Sequence, residues 1–139
     1  MAVNARLTLD SLKDVRIMDF SYHFSRDIDA SGRPSGAVRG GTIQLTIEST
    51  KSAFLATWMT TQTGKMKSGK LTIQDDDDDN KTSKTIKFDD AFIVQYGEHF
   101  SWQGGENMLE SFTISAHKIT IEGDGGPGEF QNEWPNKKG

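Results

Sequence analysis

"GGTIQLTIE", residues Gly40-Gly41-Thr42-Ile43-Gln44-Leu45-Thr46-Ile47-Glu48, decides what kind of protein this is. It closes a segment, Gly32 to Thr42, that holds four glycines, two arginines and a proline in eleven residues. Glycine, arginine and hydroxyl side chains make phosphate cradles, and they also make charged connectors between strands. A cradle requires a helix straight after the glycines, so that free N–H groups and the helix dipole face the anion. Here Ile43, Leu45 and Ile47 alternate with Thr42, Gln44, Thr46 and Glu48, the period-two pattern of a strand. No GxGxxG occurs, and no Lys-Ser or Lys-Thr pair closes the loop. The segment is therefore read as a long β-connection. Asp27 to Ala37 exceeds the roughly two to five residues of a simple hairpin, and loops of that length are often functional.

Alternation extends outward in both directions. Val3, Ala5, Leu7 and Leu9 share one face of an N-terminal strand, and Met18, Phe20, Tyr22 and Phe24 share one face of the next. Leu71 and Ile73 mark a shorter strand, Ile86 and Phe88 begin another, and Ala91 to Phe100 form a long apolar and β-branched run. Phe112, Ile114 and Ala116, then Ile119 and Ile121, supply the last, with a phase change that predicts a bulge near His117-Lys118. One segment breaks the pattern. From Ala53 to Gln62, Phe54, Leu55, Trp58 and Met59 fall on one helical face, with Ser49 or Thr50 as N-cap and Gly64 near the end. A helix near 50–63 would be marginal alone, so these four apolar residues are expected to anchor it on the sheet.

The expected fold is mainly β: a small antiparallel barrel of about seven strands with one amphipathic α-helix packed on it. Closure removes most sheet edges. The 139 residues suit one domain. It is placed at 1–123, with 124–139 as a glycine-rich C-terminal tail that begins Asp124-Gly125-Gly126-Pro127-Gly128.

Composition removes several function classes. With no cysteine, thiolate metal sites, disulfides and cysteine nucleophiles are excluded. A net charge of -4 without a basic block argues against nucleic acid. Ala91 to Val94 is far too short to cross a bilayer, and Met1 to Arg6 does not read as a signal peptide, so folding in the cytoplasm is expected. Asp75 to Asp79 followed by Asn80 lacks the alternation and glycine of a calcium loop and reads as an exposed turn. His23, His99 and His117 lie in separate strands without ligand spacing and are read as surface or interface residues. No G-x-S-x-G elbow exists, and Glu98 beside His99 follows from strand alternation. No catalytic constellation, metal site or cofactor site emerges.

The assembled motifs resemble a known family. "SYHFSRDIDASGRPSGAVRGGTIQLTIEST" (21–50), "ATWM" (56–59), "AFIVQYGEHF" (91–100), "FTISAHKITI" (112–121) and "NEWP" (132–135) are similar, in order, to the type VI secretion tube protein. This is the haemolysin-coregulated protein (TssD-like) family, in its Bacteroidetes branch. The resemblance implies a non-enzymatic structural subunit that forms hexameric rings. Rings stack head-to-tail into a hollow tube inside a contractile sheath, with baseplate and spike proteins as partners and effectors as cargo. Such a subunit leaves the cytoplasm through the secretion apparatus, without inserting in a membrane. The resemblance also makes the long connection an assembly arm, with Gly32, Arg33, Pro34, Val38, Arg39, Gly40 and Gly41 as its ring-stacking residues. Its glycines would be hinges, and Arg33 and Arg39 would pair with carboxylates of the next ring. Exposed pairs of that kind contribute about 0–1 kcal/mol each, so they would set register more than strength. Two alternatives stand beside this reading. One is a stand-alone barrel that binds a small ligand or glycan, with Trp102, beside Gly104-Gly105, and Trp134 as stacking platforms. The other is a phage-like tail-tube protein.

Overall fold

The computed structural model describes residues 3–10, 12–49, 52–61, 65–75, 81–100 and 108–132. Among them are nine strands: β1 (Val3–Leu9), β2 (Leu12–Tyr22), β3 (Ser25–Ile28), β4 (Pro34–Arg39), β5 (Thr42–Glu48), β6 (Lys67–Asp75), β7 (Lys81–Phe100), β8 (Met108–Glu122) and β9 (Gly128–Gln131). One helix, α1 (Phe54–Thr60), falls between β5 and β6.

Hydrogen bonding runs β5-β2-β1-β6-β7-β8, and β5 pairs back onto β8, so six antiparallel strands close into a barrel. The seventh strand of that sheet, β9, is added on β8. One edge of β8 is thus shared: β5 takes Leu109 to Ser115, and β9 takes Lys118 to Ile121. The expected barrel and helix are what the chain forms. The alternating residues of β1, β5 and β8 point inward as expected, and Leu7, Leu9, Ile43, Leu45, Ile47, Phe112 and Ile114 are buried in one cluster. Each such side chain contributes roughly 1.5–3 kcal/mol through loss of contact with water. Side chains fill the barrel interior.

The structure departs from the sequence reading at several points, each with a local cause. In β2 the buried residues are Leu12 and Ile17, while Met18 stands 49 % exposed. The β2–β5 register slips between Ile17 and Asp19, and this bulge swaps the inward phase just before Phe20. Ile86 to Phe100 belongs to one strand of 20 residues, not two. Asp90 takes up the bend at a φ of 52° without ending the strand, and its N–H donates to Ser68 Oγ at 3.1 Å. No bulge occurs at His117-Lys118. Asp89 faces Lys118 and Ala91 faces Ala116, so β7 and β8 change phase together, and the register slip lies at Val94. His117, read as a surface or interface residue, is buried. Residues 128–131 of the expected tail form β9, with Phe130 only 8 % exposed.

Helix α1 is shorter than expected, seven residues, with Ala53 in the N-cap position and no side-chain cap. Ser49 does not cap it; its Oγ donates to Glu98 Oε2 at 2.8 Å, while Ser52 Oγ accepts from the Phe54 N–H at 3.1 Å. Thr50 and Gly64 lie outside the described residues. Leu55 and Trp58 are buried and Phe54 is partly buried, whereas Met59, also expected in the core, is 38 % exposed. One residue advances a helix by about 100°, so Met59 rotates off the face that Trp58 occupies. The Trp58 indole N–H donates to the Lys65 carbonyl at 2.6 Å, and Lys67 Nζ lies 5.0 Å from the centre of the Phe54 ring. These contacts tie the helix to the start of β6.

Candidate assembly surface

Between the end of β2 and the start of β5 the chain leaves the barrel. The expected long connection is there, but β3 and β4 pair antiparallel and make it a two-stranded arm. Its base is an aromatic row. Phe20 stacks on Tyr22 at 6.3 Å, Tyr22 meets Phe24 edge-on at 5.8 Å, and Phe24 packs on Phe130 of β9 at 5.1 Å. Burial also raises the Tyr22 phenol pKa above its ordinary value.

The return path explains two of the glycines. A Cβ at Gly40 would sit 2.5 Å from Phe24 Cδ1, so only glycine lets the returning chain pass the aromatic row. Gly41 has a φ of +103°, a conformation that L side chains rarely adopt, and a Cβ there would meet the Asn132 amide. The same amide donates to the Ala116 carbonyl at 2.8 Å, and the Ala116 N–H donates to Gly41 O at 2.7 Å. Gly40 and Gly41 are therefore packed pivots that set the exit angle of the arm.

At the far end Asp29 organises the turn. Its Oδ1 accepts from Ser31 N–H at 2.9 Å, Ser31 Oγ at 2.7 Å and Arg33 N–H at 3.0 Å. The Ser31 hydroxyl bond, followed by the Arg33 N–H bond, holds this carboxyl below its ordinary pKa. Gly32 sits in the same turn, its N–H donating to Asp29 O at 3.0 Å. Pro34 opens β4 opposite Ile28. Val38 is half-buried. Arg39 pairs with Asp27 of its own arm at 2.7 Å, and both side chains are well exposed. Arg33 makes no ion pair among the described residues. The structure thus divides the two arginines: one pairs within the arm, the other is exposed with no ion pair among the described residues.

A second group escaped the sequence reading. Glu98 and Glu110 face each other across β7 and β8, and Glu110 is buried. The Tyr96 hydroxyl donates to Glu110 Oε1 at 2.8 Å. Burial, and then this bond, push the Tyr96 phenol pKa well above its ordinary value. The pairing depends on cross-strand register, which one-dimensional alternation does not reveal. Beside it, Ser21, Gln44, Thr46, Gln95, Ser111 and Thr113 line a shallow polar groove of about 390 Å³ on the outer face of the sheet. Among the described residues no three His, Cys, Asp or Glu side chains group as metal ligands. Also among them, no helix is long and apolar enough to cross a membrane. Trp102, Gly104, Gly105, Trp134 and the run after Asp75 lie outside the described residues.

This barrel with a projecting arm matches known proteins over nearly its whole length. The family model described as hemolysin coregulated protein Hcp (TssD) matches residues 1–135. The chain belongs to this family. Hcp1 from Flavobacterium johnsoniae is 39% identical, with a TM-score of 0.81 over 93% of this chain and 99% of that one. A structure titled as a type six secretion system protein is 16% identical at a TM-score of 0.76, covering 93% and 92% of the two chains. Hcp1 from Salmonella typhimurium, also 16% identical, gives 0.71 over 93% of each. These two distant likenesses carry the fold alone; the family match and the Flavobacterium Hcp1 carry the membership. Comparison with curated proteins returns no match. As an Hcp protein the chain is a type VI secretion tube subunit, and the family is structural rather than enzymatic.

Proposed function

We propose that six copies close into a ring and that rings stack head-to-tail through the β3–β4 arm into a hollow tube. Sheath contraction then expels the tube together with baseplate-derived spike and effector cargo. The observation that carries this reading is the arm itself. It stands off a closed barrel in an Hcp chain, with an exit angle set by Gly40 and Gly41 and a tip ordered by Asp29. A head-to-tail contact joins two different surfaces and propagates along an axis, and an arm on one copy with a receiving surface on the next is one such pair. Gly32, Arg33, Pro34 and Val38 meet the neighbouring ring, while Arg39 acts from within the arm by bracing Asp27. Secretion proceeds from the cytoplasm through the assembled apparatus.

Arg33→Glu tests the contact more cleanly than Arg39→Glu, because only the latter also breaks the arm's internal ion pair. The expected result is a folded protein that forms rings but shorter stacks, seen by negative-stain electron microscopy. Stacks of unchanged length would remove Arg33 from the interface.

A further inference from the structure

The chain crosses the root of the arm twice, at His23-Phe24 on the way out and at Gly40-Gly41 on the way back, and both crossings rest on the C-terminal end of the described chain. Going out, Phe24 packs on Phe130 of β9 at 5.1 Å between ring centres. Coming back, Asn132 Nδ2 donates to the Gly40 carbonyl at 3.5 Å, and a Cβ at Gly41 would meet the Phe130 ring as well as that amide. Phe130 is thus a floor shared by the two crossings. The barrel itself reaches the root through β8, whose Ala116 N–H donates to Gly41 O.

The strand that carries this floor is not part of the closed wall. Pairing of β5 with β8 completes the barrel, and β9 is added outside that closure. It has four residues, of which Phe130 is the buried one. An exposed connector, Gly123 to Pro127, leads to it from β8. Its hold on β8 consists of the pairing with Lys118 to Ile121, the Asn132 N–H bond to His117 O at 2.7 Å and a 3.2 Å contact between the Gln131 and His117 side chains. The Lys118–Glu129 ion pair at 3.2 Å lies in partly exposed side chains and adds little. Short peripheral strands with few buried side chains open at lower free energy than the core to which they are attached.

We infer that β9 is a latch for the arm. Docked on β8, with Phe130 against Phe24 and Asn132 on Gly40, it fixes the direction in which the arm leaves the barrel. Released, it lets the arm swing while the six-stranded wall stays closed. Phe130 and Asn132 are therefore positioning residues for a tip that they do not touch. Coupling of this kind is reciprocal, so an arm held in place also holds β9 on β8. The consequence for tube length rests on the stacking reading above, whereas the latch is a property of a single copy.

The natural absence of cysteine allows clean labelling of Ser35→Cys on the arm and Lys70→Cys on the barrel wall, both at exposed positions. Spin-labelled full-length protein is diluted into unlabelled protein, so that pulsed electron paramagnetic resonance reads the distance within one copy. The expected result is a narrow distribution that broadens in Phe130→Ala and is restored in Phe130→Tyr, which keeps the ring. Should Phe130→Ala fail to fold, Asn132→Ala removes the amide bonds, leaves the core intact and is expected to broaden the distribution as well. An unchanged width, or a distribution already broad in the parent chain, would overturn the latch. Hydrogen exchange tests the reverse direction. Phe24→Ala should speed exchange of the β9 amides roughly two- to tenfold, the range set by loss of an aromatic pair, with β1 and β6 unchanged. No change in β9, or an equal rise in every strand, would overturn the coupling. Negative-stain microscopy of Phe130→Ala separates the two levels: shorter stacks support the link to assembly. A loosened arm with stacks of normal length would overturn the axial role of the arm and leave the latch standing.

Discussion

Gly41 shows how much one residue decides in this chain. Its φ of +103° and the nearness of Asn132 and the Ala116 carbonyl leave no place for a side chain. Gly41→Ala is expected to lower unfolding stability by about 1–3 kcal/mol, the usual cost of such strain, measured by urea unfolding at unchanged m-value. Asp29 acts at the other end of the arm. Its folded pKa lies below its ordinary value of 3.8, so its contribution is fully present above that pH and lost as pH falls through the lowered folded value. Amide NMR of Ser31 and Arg33 should therefore show the tip loosening only in strong acid, while barrel amides stay unchanged over the same step. Loosening that begins near neutrality would contradict this account. The glycines and Asp29 were all visible in the sequence, but their functions were not. Gly40 and Gly41 are required by Phe24 and Asn132, residues distant along the chain, and no local pattern encodes such proximity.

At the scale of elements, α1 depends on its anchors. Seven residues are too few for an independent helix, so burial of Leu55 and Trp58 and the indole bond to Lys65 hold it. Trp58→Ala is expected to cost about 3–5 kcal/mol, and Met59→Ala, on the exposed side, no more than about 0.5 kcal/mol. Equal losses in thermal unfolding would mean that the helix packs on a different face. Strand identity was largely legible, because β1, β5 and β8 alternate cleanly. Breaks in phase were legible only between Ala116 and Ile119, where the change is real but no bulge accompanies it. The bulge beside Met18 and the slip at Val94 exist only in relation to partner strands, and Asp90 bends within one continuous strand where the sequence was read as two runs. The length of the connection at 27–37 was read from the sequence, while its pairing as a hairpin depends on a register in which Arg39 faces Ser25.

At the scale of the whole molecule, the barrel spends its interior on packing and directs its distinctive features outward. Membership of the Hcp family was legible from motifs spread along the chain, since these cover both the arm and the β8 core. Which surfaces join copies was less so, because an interface is a property of two molecules and strand periodicity describes one. The central claim is that this chain is a unit of assembly, with its arm as the axial connector. Negative-stain electron microscopy of the purified protein, compared with a variant in which residues 29–33 are replaced by a two-residue turn, tests it most directly. The account predicts open-centred rings for both proteins and stacked rings only for the intact arm; compact monomers at high concentration, or equal stacking without the arm, would contradict it.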